Sequence, residues 1–359
     1  MSGRHSRAWV EVDLAAVVEN ARTAARVAGT RLLPIVKANA YGIGAVAVSR
    51  ALESLEPWGY GVATVEEGAE LRAAGITRPI VVFMPGQPAL FEEYVRFRLT
   101  PALGDVAAIS AWTARGRRPA PFHLEIDTGM ARSGMRWDAV AGASAVLDTE
   151  GLEGCYTQFH SADRDDGSTE QQFERFMTAV RELPRRPALL HVANSAATFR
   201  DRRYALDVIR PGVFLYGGAP AAKSPAPKPV VRLEARVIAL RALAVGETVS
   251  YGAFWTAHTA TQVATLGIGY ADGVRRSLGL SGSGSVLLCG QRCPIVGAVT
   301  MDMTMVEVRN LPVRVGDVAT LIGGDGASAI TLDEYAGAAG VLQREALTSL
   351  GARLPRVYD

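Results

Sequence analysis

The first apolar run of the chain ends on a lysine. Residues 31–44 read RLLPIVKANAYGIG, so Leu32, Leu33, Ile35 and Val36 form a short buried strand and Lys37 stands at its exit, facing a small, glycine-bearing stretch. Burial disfavours the ammonium ion and makes the neutral amine available as nucleophile or base. Polar positions follow other apolar runs in the same way: Arg132, then Gln158 and His160, then Asn194 and Ser195, then Arg210. An arginine stays charged and its fork matches a carboxylate. A serine opening a helix, with Asn194 before it as N-cap, makes an anion site. Gly212 and Val213 can offer backbone N–H groups to a phosphate, since glycine allows close approach.

These residues need a frame that brings strand ends together. Short apolar strands are expected at 31–37, 58–63, 79–83, 97–102, 121–126, 152–159, 188–193 and 206–210, with helices at 13–28, 43–55, 65–74, 88–96, 138–148, 169–183 and 195–200. Asp13 and Thr64 read as N-caps, Gly29 and Gly75 as stops. Strands alternating with helices in this way predict an α/β fold, a closed (β/α)8 TIM-like barrel, with an open doubly wound sheet as the alternative. No GxGxxG follows the first strand, which weakens that alternative. In a barrel the catalytic groups lie where strands end, and the residues above all do.

The chain has 359 residues, enough for two domains. Its 48% hydrophobic and 21% charged content describe a soluble globular protein, and a net charge of +2 gives no case for nucleic acid or an anionic membrane surface. The pairs Arg117-Arg118, Arg185-Arg186 and Arg202-Arg203 read as solvated loop charges. Cys155, Cys289 and Cys293 lack disulfide or zinc spacing and fit reduced thiols. The N-terminus has no apolar targeting region and no run approaches the roughly 18 residues of a membrane span, so a cytoplasmic protein is expected. The Pro- and Ala-rich stretch 219–229 reads as a linker between a barrel at 11–220 and a mainly β domain at 228–359, to which residues 1–10 add a strand.

Several strings resemble those of alanine racemases, which use pyridoxal 5'-phosphate (PLP). VKANAYG followed by IG is similar to their cofactor-lysine signature, with Ile43 where many relatives carry His. It implies that Lys37 carries PLP covalently and that Tyr41 contacts its phosphate. DTGMARSG (127–134) resembles DTGMxRxG, implying that Arg132 meets the cofactor's phenolic oxygen and lies near the substrate carboxylate. Some relatives place a carbamylated lysine where Glu125 stands, and its carboxylate is expected to replace the carbamate. TQFHSAD (157–163) carries Gln158 in place of a family histidine, leaving open whether Gln158 or His160 takes that role. HVANSAAT (191–198) implies Ser195 on the phosphate. IRPGVFLYGG (209–218) places Arg210 against the pyridine nitrogen. An arginine does not yield its proton there, so the ring stays a weaker electron sink, which limits stray protonation and transamination.

In the second domain, GETVSYG (246–252) implies Tyr251 as a second catalytic base, and GIGYADG (267–273) places Tyr270 at the entrance or pocket. GAVTMDM (297–303), with Ala298 and Thr300 substituted, implies that Met301 gives its backbone N–H to the substrate carboxylate and that Asp302 supports the site. Some relatives carry a tyrosine near the end that reaches the phosphate. Ala352, before Arg353, is read as its replacement, and weaker PLP retention is expected.

The resemblance implies a fold-type III, PLP-dependent racemase interconverting L- and D-alanine, supplying D-alanine for the cell wall and using no metal. Lys37 would serve the D isomer and Tyr251 the L isomer, with Arg210, through Gln158 or His160, lowering the phenol from its usual pKa of about 10. It also implies a homodimer whose sites join the barrel of one subunit to the second domain of its partner. The alternatives are a broader racemase that accepts serine, a PLP decarboxylase of the same fold type, and a non-catalytic PLP carrier. Arg210 and Tyr251 argue against the decarboxylase, and the second domain argues against the carrier.

Overall fold

The computed structural model describes residues 3–115 and 120–359. The Arg117-Arg118 pair lies outside the described residues.

Strand β1 (Ala8–Val12) leads into the helix Leu14–Ala28. Asp13 caps that helix by accepting the Ala16 N–H at 2.7 Å, and Gly29 ends it in the left-handed region at φ 67°. The barrel strands follow as β2 (Arg31–Leu32), β3 (Tyr60–Val62), β4 (Ile80–Pro85), β5 (Thr100–Leu103), β6 (Phe122–Asp127), a short β7 (Met135–Arg136) on the edge of β6, β8 (Leu152–Tyr156), β9 (Leu189–His191) and β10 (Val208–Ile209). Parallel pairing runs β3-β4-β5-β6-β8-β9, and β10 pairs β2. Two parallel bridges, Ile35 to Gly61 and Asn194 to Arg210, close the ring. The strands are near-continuous apolar runs because helices cover the outside and side chains fill the inside. The expected eight-stranded barrel is therefore present. One helix, Val106–Thr113, capped by Asp105, was not among those expected.

The second domain is built on β11 (Val231–Leu243), along which Val231, Leu233, Ala235 and Val237 are buried and the intervening residues are partly exposed. β1 pairs with it antiparallel from Ala8↔Ala235 to Val12↔Val231, so the N-terminal strand lies in this sheet and runs two residues past the boundary at residue 10. On its other face β1 takes the last strand, Arg356–Tyr358, in parallel. This domain also carries two helices, Leu332–Ala339 and Gln343–Thr348, separated at Gly340, which has φ 70°. The second of these packs under the lysine loop: a Cβ on Gly42 would stand 2.6 Å from the Leu347 carbonyl oxygen. The C-terminal strand reaches the same loop, where Arg356 donates to Gly42 O at 3.0 Å and Tyr358 to Ile43 O at 3.1 Å.

Candidate active site

The loop after Lys37 is a left-handed turn. Ala38, Asn39, Ala40 and Tyr41 have φ of 52, 54, 51 and 56°. For L residues that conformation costs about 1–2 kcal/mol each, so the surroundings must impose it. Glu67 does so with both oxygens, accepting the Ala38 N–H and the Ala63 N–H, each at 2.7 Å. Asn39 contributes by accepting the Ala45 N–H at 2.8 Å on its side chain and the Gly44 N–H at 2.9 Å on its carbonyl. The turn leaves Lys37 half-buried at the barrel mouth. Burial, then the charge of Arg132, push the amine below its ordinary pKa; Glu67 opposes and Arg344 reinforces the shift.

Beside it lies a cradle of donors. The Tyr41 hydroxyl sits 2.5 Å from where a Cβ at position 212 would be, so only glycine fits there. The Ser195 Oγ accepts the N–H of Gly212 at 2.8 Å and of Phe214 at 3.4 Å, and Asn194 caps the helix Ser195–Arg200 by accepting the Ala197 N–H at 3.0 Å. The Tyr41 ring packs on Tyr216 at 4.7 Å, and Tyr216 donates to Ile35 O at 2.7 Å, which pins the wall. Among the described residues the Tyr41 hydroxyl and the Val213 amide have no hydrogen-bond partner. Unspent donors around a glycine backbone fit a phosphate group. From the C-terminal segment, the charge that acts on both Lys37 and Tyr41 is that of Arg344, in the helix Gln343–Thr348. Ala352 lies in the exposed turn beyond that helix.

Arg210 is buried at the end of β10 and held on several sides. It donates to His191 Nδ1 at 2.8 Å, to Thr157 O at 2.8 Å and to Gln158 Oε1 at 3.3 Å. Burial pushes its pKa down to about 10, below the ordinary arginine value that sequence suggested, and leaves it a cation at neutral pH. Gln158 and His160 are set apart by where β8 stops. The strand ends at Tyr156, so the two-residue alternation does not extend to both; Gln158 reaches Arg210, while His160 is exposed and bonded to Ser161 Oγ at 2.7 Å.

Glu125 is buried, and Arg132 NH2 lies 3.8 Å from its Oε1, within ion-pair range but beyond a direct hydrogen bond. Ser133 takes the hydrogen bond instead, donating to Glu125 Oε2 at 2.9 Å. Burial raises the Glu125 pKa, opposed by Ser133 and Arg132, with the Tyr156 hydroxyl a further neighbour. Gly134 makes room, since a Cβ there would stand 2.9 Å from Glu125 Cγ.

The second-domain residues form a separate, solvent-facing group. Tyr251 is 75% exposed in the hairpin between strands Thr248–Val249 and Trp255–Thr256, with Phe254 beside it at 69%. Met301 is 53% exposed; its carbonyl accepts the Ala271 N–H at 3.0 Å, and its own amide has no partner among the described residues. Tyr270 N–H bonds Thr300 O at 2.9 Å. Arg353 ties the two loops together, donating to Asp302 at 2.9 Å and to buried Asp272 at 2.9 Å. Asp302 therefore acts through Arg353. Sequence reasoning missed Glu67 and Arg344. The Thr64–Glu67 spacing, that of a capping box, was the one signal for Glu67.

A closed parallel barrel with its polar groups at one rim, completed by a β-rich second domain, defines an α/β-barrel enzyme of a particular two-domain type. A family model for the alanine racemase N-terminal domain matches residues 12–220, and one for the alanine racemase C-terminal domain matches residues 230–358. An alanine racemase from Symbiobacterium thermophilum is 40% identical over 366 residues, covering 98% of this chain and 96% of that one. The solved alanine racemase from E. faecalis superposes with a TM-score of 0.92 at 33% identity, covering 100% of each chain. That from Bartonella henselae, solved with covalently bound pyridoxal phosphate, gives a TM-score of 0.91 at 29% identity, covering 99% of this chain and 100% of that one. The chain belongs to the alanine racemase family.

Proposed function

We propose that the protein is a PLP-dependent amino-acid racemase that interconverts L- and D-alanine. The observation that carries the reading is Lys37: a half-buried amine with a lowered pKa, set by a left-handed turn beside an anion cradle. When bound, PLP acidifies the Cα–H of an amino acid by drawing electron density into its ring. Lys37 would hold the cofactor, and Tyr41, Ser195 and the Gly212 and Val213 backbone would hold its phosphate, with Asn194 fixing the Ser195 helix. Arg210 would face the pyridine nitrogen and, as a cation, would donate a hydrogen bond there without giving up its proton. Arg132 and the Met301 amide bind the substrate carboxylate, with Glu125 beside Arg132 as the anion in place of a carbamate.

Inversion requires a proton to leave Cα on one face and return on the other. Lys37 handles the face of the D isomer and Tyr251 that of the L isomer. Tyr251, Phe254, Tyr270 and Met301 lie exposed on the second domain, and so large an exposed apolar group supports a partner. We infer a homodimer in which Tyr251 of the partner subunit completes the site, with Tyr270 lining its entrance. A cytoplasmic location belongs to the same reading; no helix among the described residues is long and apolar enough to cross a membrane.

The test is incubation of the purified protein with L-alanine in deuterated water. Racemisation gives D-alanine with deuterium at Cα; carbon dioxide without inversion identifies a decarboxylase, and no exchange identifies a carrier. Serine in a parallel reaction sets the breadth of the pocket.

A further inference from the structure

Behind Arg210, two buried imidazoles cross the barrel interior. His191 Nδ1 receives the Arg210 N–H at 2.8 Å, and His191 Nε2 lies 2.9 Å from His123 Nδ1. Both rings are fully buried, and His191 stacks on Tyr156 at 5.1 Å with an interplanar angle of 10°. On the far side, His123 Nε2 faces Glu153 Oε2 at 3.5 Å, a long contact with no shorter partner among the described residues. The backbone is arranged for this. Phe122 pairs with Leu152 and His123 with Gly154, so the register skips Glu153. Gly154 clears space for the ring, since a Cβ there would stand 2.7 Å from His123 Cε1.

The chemistry of the two ends fixes every proton between them. Arginine only donates, so His191 Nδ1 is bare and its Nε2 carries hydrogen. That hydrogen points at His123 Nδ1, which must then be bare, and the His123 Nε2–H points at the Glu153 carboxylate. A donor at one end and an acceptor at the other agree on a single arrangement. Without the carboxylate the Arg210 end alone sets the arrangement, and the His123 Nε2–H faces no acceptor, which loosens the imidazole pair that braces the guanidinium.

We propose that Glu153 and His123 are positioning residues for Arg210, fixing the tautomers of the imidazole pair so that His191 presents a bare nitrogen to the guanidinium. This rests on the reading of Arg210 as the group facing the cofactor ring. The consequence is control of partition: a guanidinium held in place keeps the ring a weak electron sink and keeps transamination to pyruvate rare.

Two measurements test it on the full chain. Nitrogen-15 NMR of histidine-labelled protein, with and without PLP, is expected to show both imidazoles neutral and protonated at Nε2. Pyruvate formed per racemisation event is expected to rise about twofold to fivefold in Glu153→Leu, which removes the partly exposed carboxylate facing His123 Nε2, and to return towards the parent value in Glu153→Gln, whose carbonyl can accept there. Either imidazole protonated at Nδ1 overturns the proposal, as does a parent-like partition in a folded Glu153→Leu enzyme. A protein that racemises nothing overturns the functional reading alone, and the imidazole spectrum then decides the tautomer chain.

Discussion

Glu67 holds Ala38 in a left-handed conformation by accepting its N–H at 2.7 Å, while its other oxygen accepts the Ala63 N–H at 2.7 Å. One carboxylate thus welds the end of β3 to the residue after the catalytic amine. In Glu67→Gln a single oxygen remains to accept and an amide N–H faces one of the two donors. We expect a loss of about 1.5–3 kcal/mol in unfolding free energy, the range for hydrogen bonds to a charged group, read by urea denaturation. Because the Glu67 charge also raises the Lys37 pKa, the same variant should titrate its amine at lower pH.

The buried histidine pair gives stability an acid limit. Burial, then the charge of Arg210, hold His191 well below the ordinary value; burial also lowers His123, with Glu153 opposing. The unfolded chain binds protons at both below about pH 6.5 while the folded chain does not, so stability falls as pH falls through that value. The expected slope is about 1.4 kcal/mol per pH unit for each histidine until the folded-state values are reached. Thermal melts of the parent between pH 7 and 5 check the direction, and His123→Phe should flatten the slope.

Arg344 is exposed on the helix Gln343–Thr348, and its charge acts on both Lys37 and Tyr41. Arg344→Ala should weaken PLP binding by about fivefold and lessen its salt sensitivity, as for a partly solvated ion pair. Binding of pyridoxal, which lacks the phosphate, should be unchanged. Ala352→Tyr should tighten PLP binding by roughly fivefold, the scale of one added phosphate hydrogen bond, and equal affinity would overturn the reading of Ala352. Fluorescence titration of the apoprotein measures all of these, and a variant that loses pyridoxal and PLP alike would place Arg344 elsewhere.

The barrel was legible because its signals are local. Buried parallel strands are apolar runs, and Asp13 and Thr64 cap the helices that sequence assigned to them. The left-handed turn at 38–41 was not, since alanine, asparagine and tyrosine carry no glycine-like mark for positive φ. Its cause, Glu67, lies on another element and reads in sequence as a solvated helix residue. Gln158 and His160 could not be separated without knowing that β8 ends at Tyr156. The Tyr251 group is legible as a motif, but its exposure has meaning only when the folded chain shows no barrel residue covering it.

The proposed sharing of the site between two subunits makes the sharpest prediction. Lys37→Ala and Tyr251→Phe homodimers should each be nearly inactive. Mixed, unfolded and refolded together, they form hybrids in which one site has lost both bases and the other has its lysine from one subunit and its tyrosine from the partner. Random pairing makes half of the dimers hybrid with one intact site each, so activity should recover to about one quarter of the parent. A site contained within one subunit would leave every hybrid site lacking one base, and mixing would restore nothing. The racemase assay on the refolded mixture, with size-exclusion chromatography to confirm the dimer, separates the two arrangements.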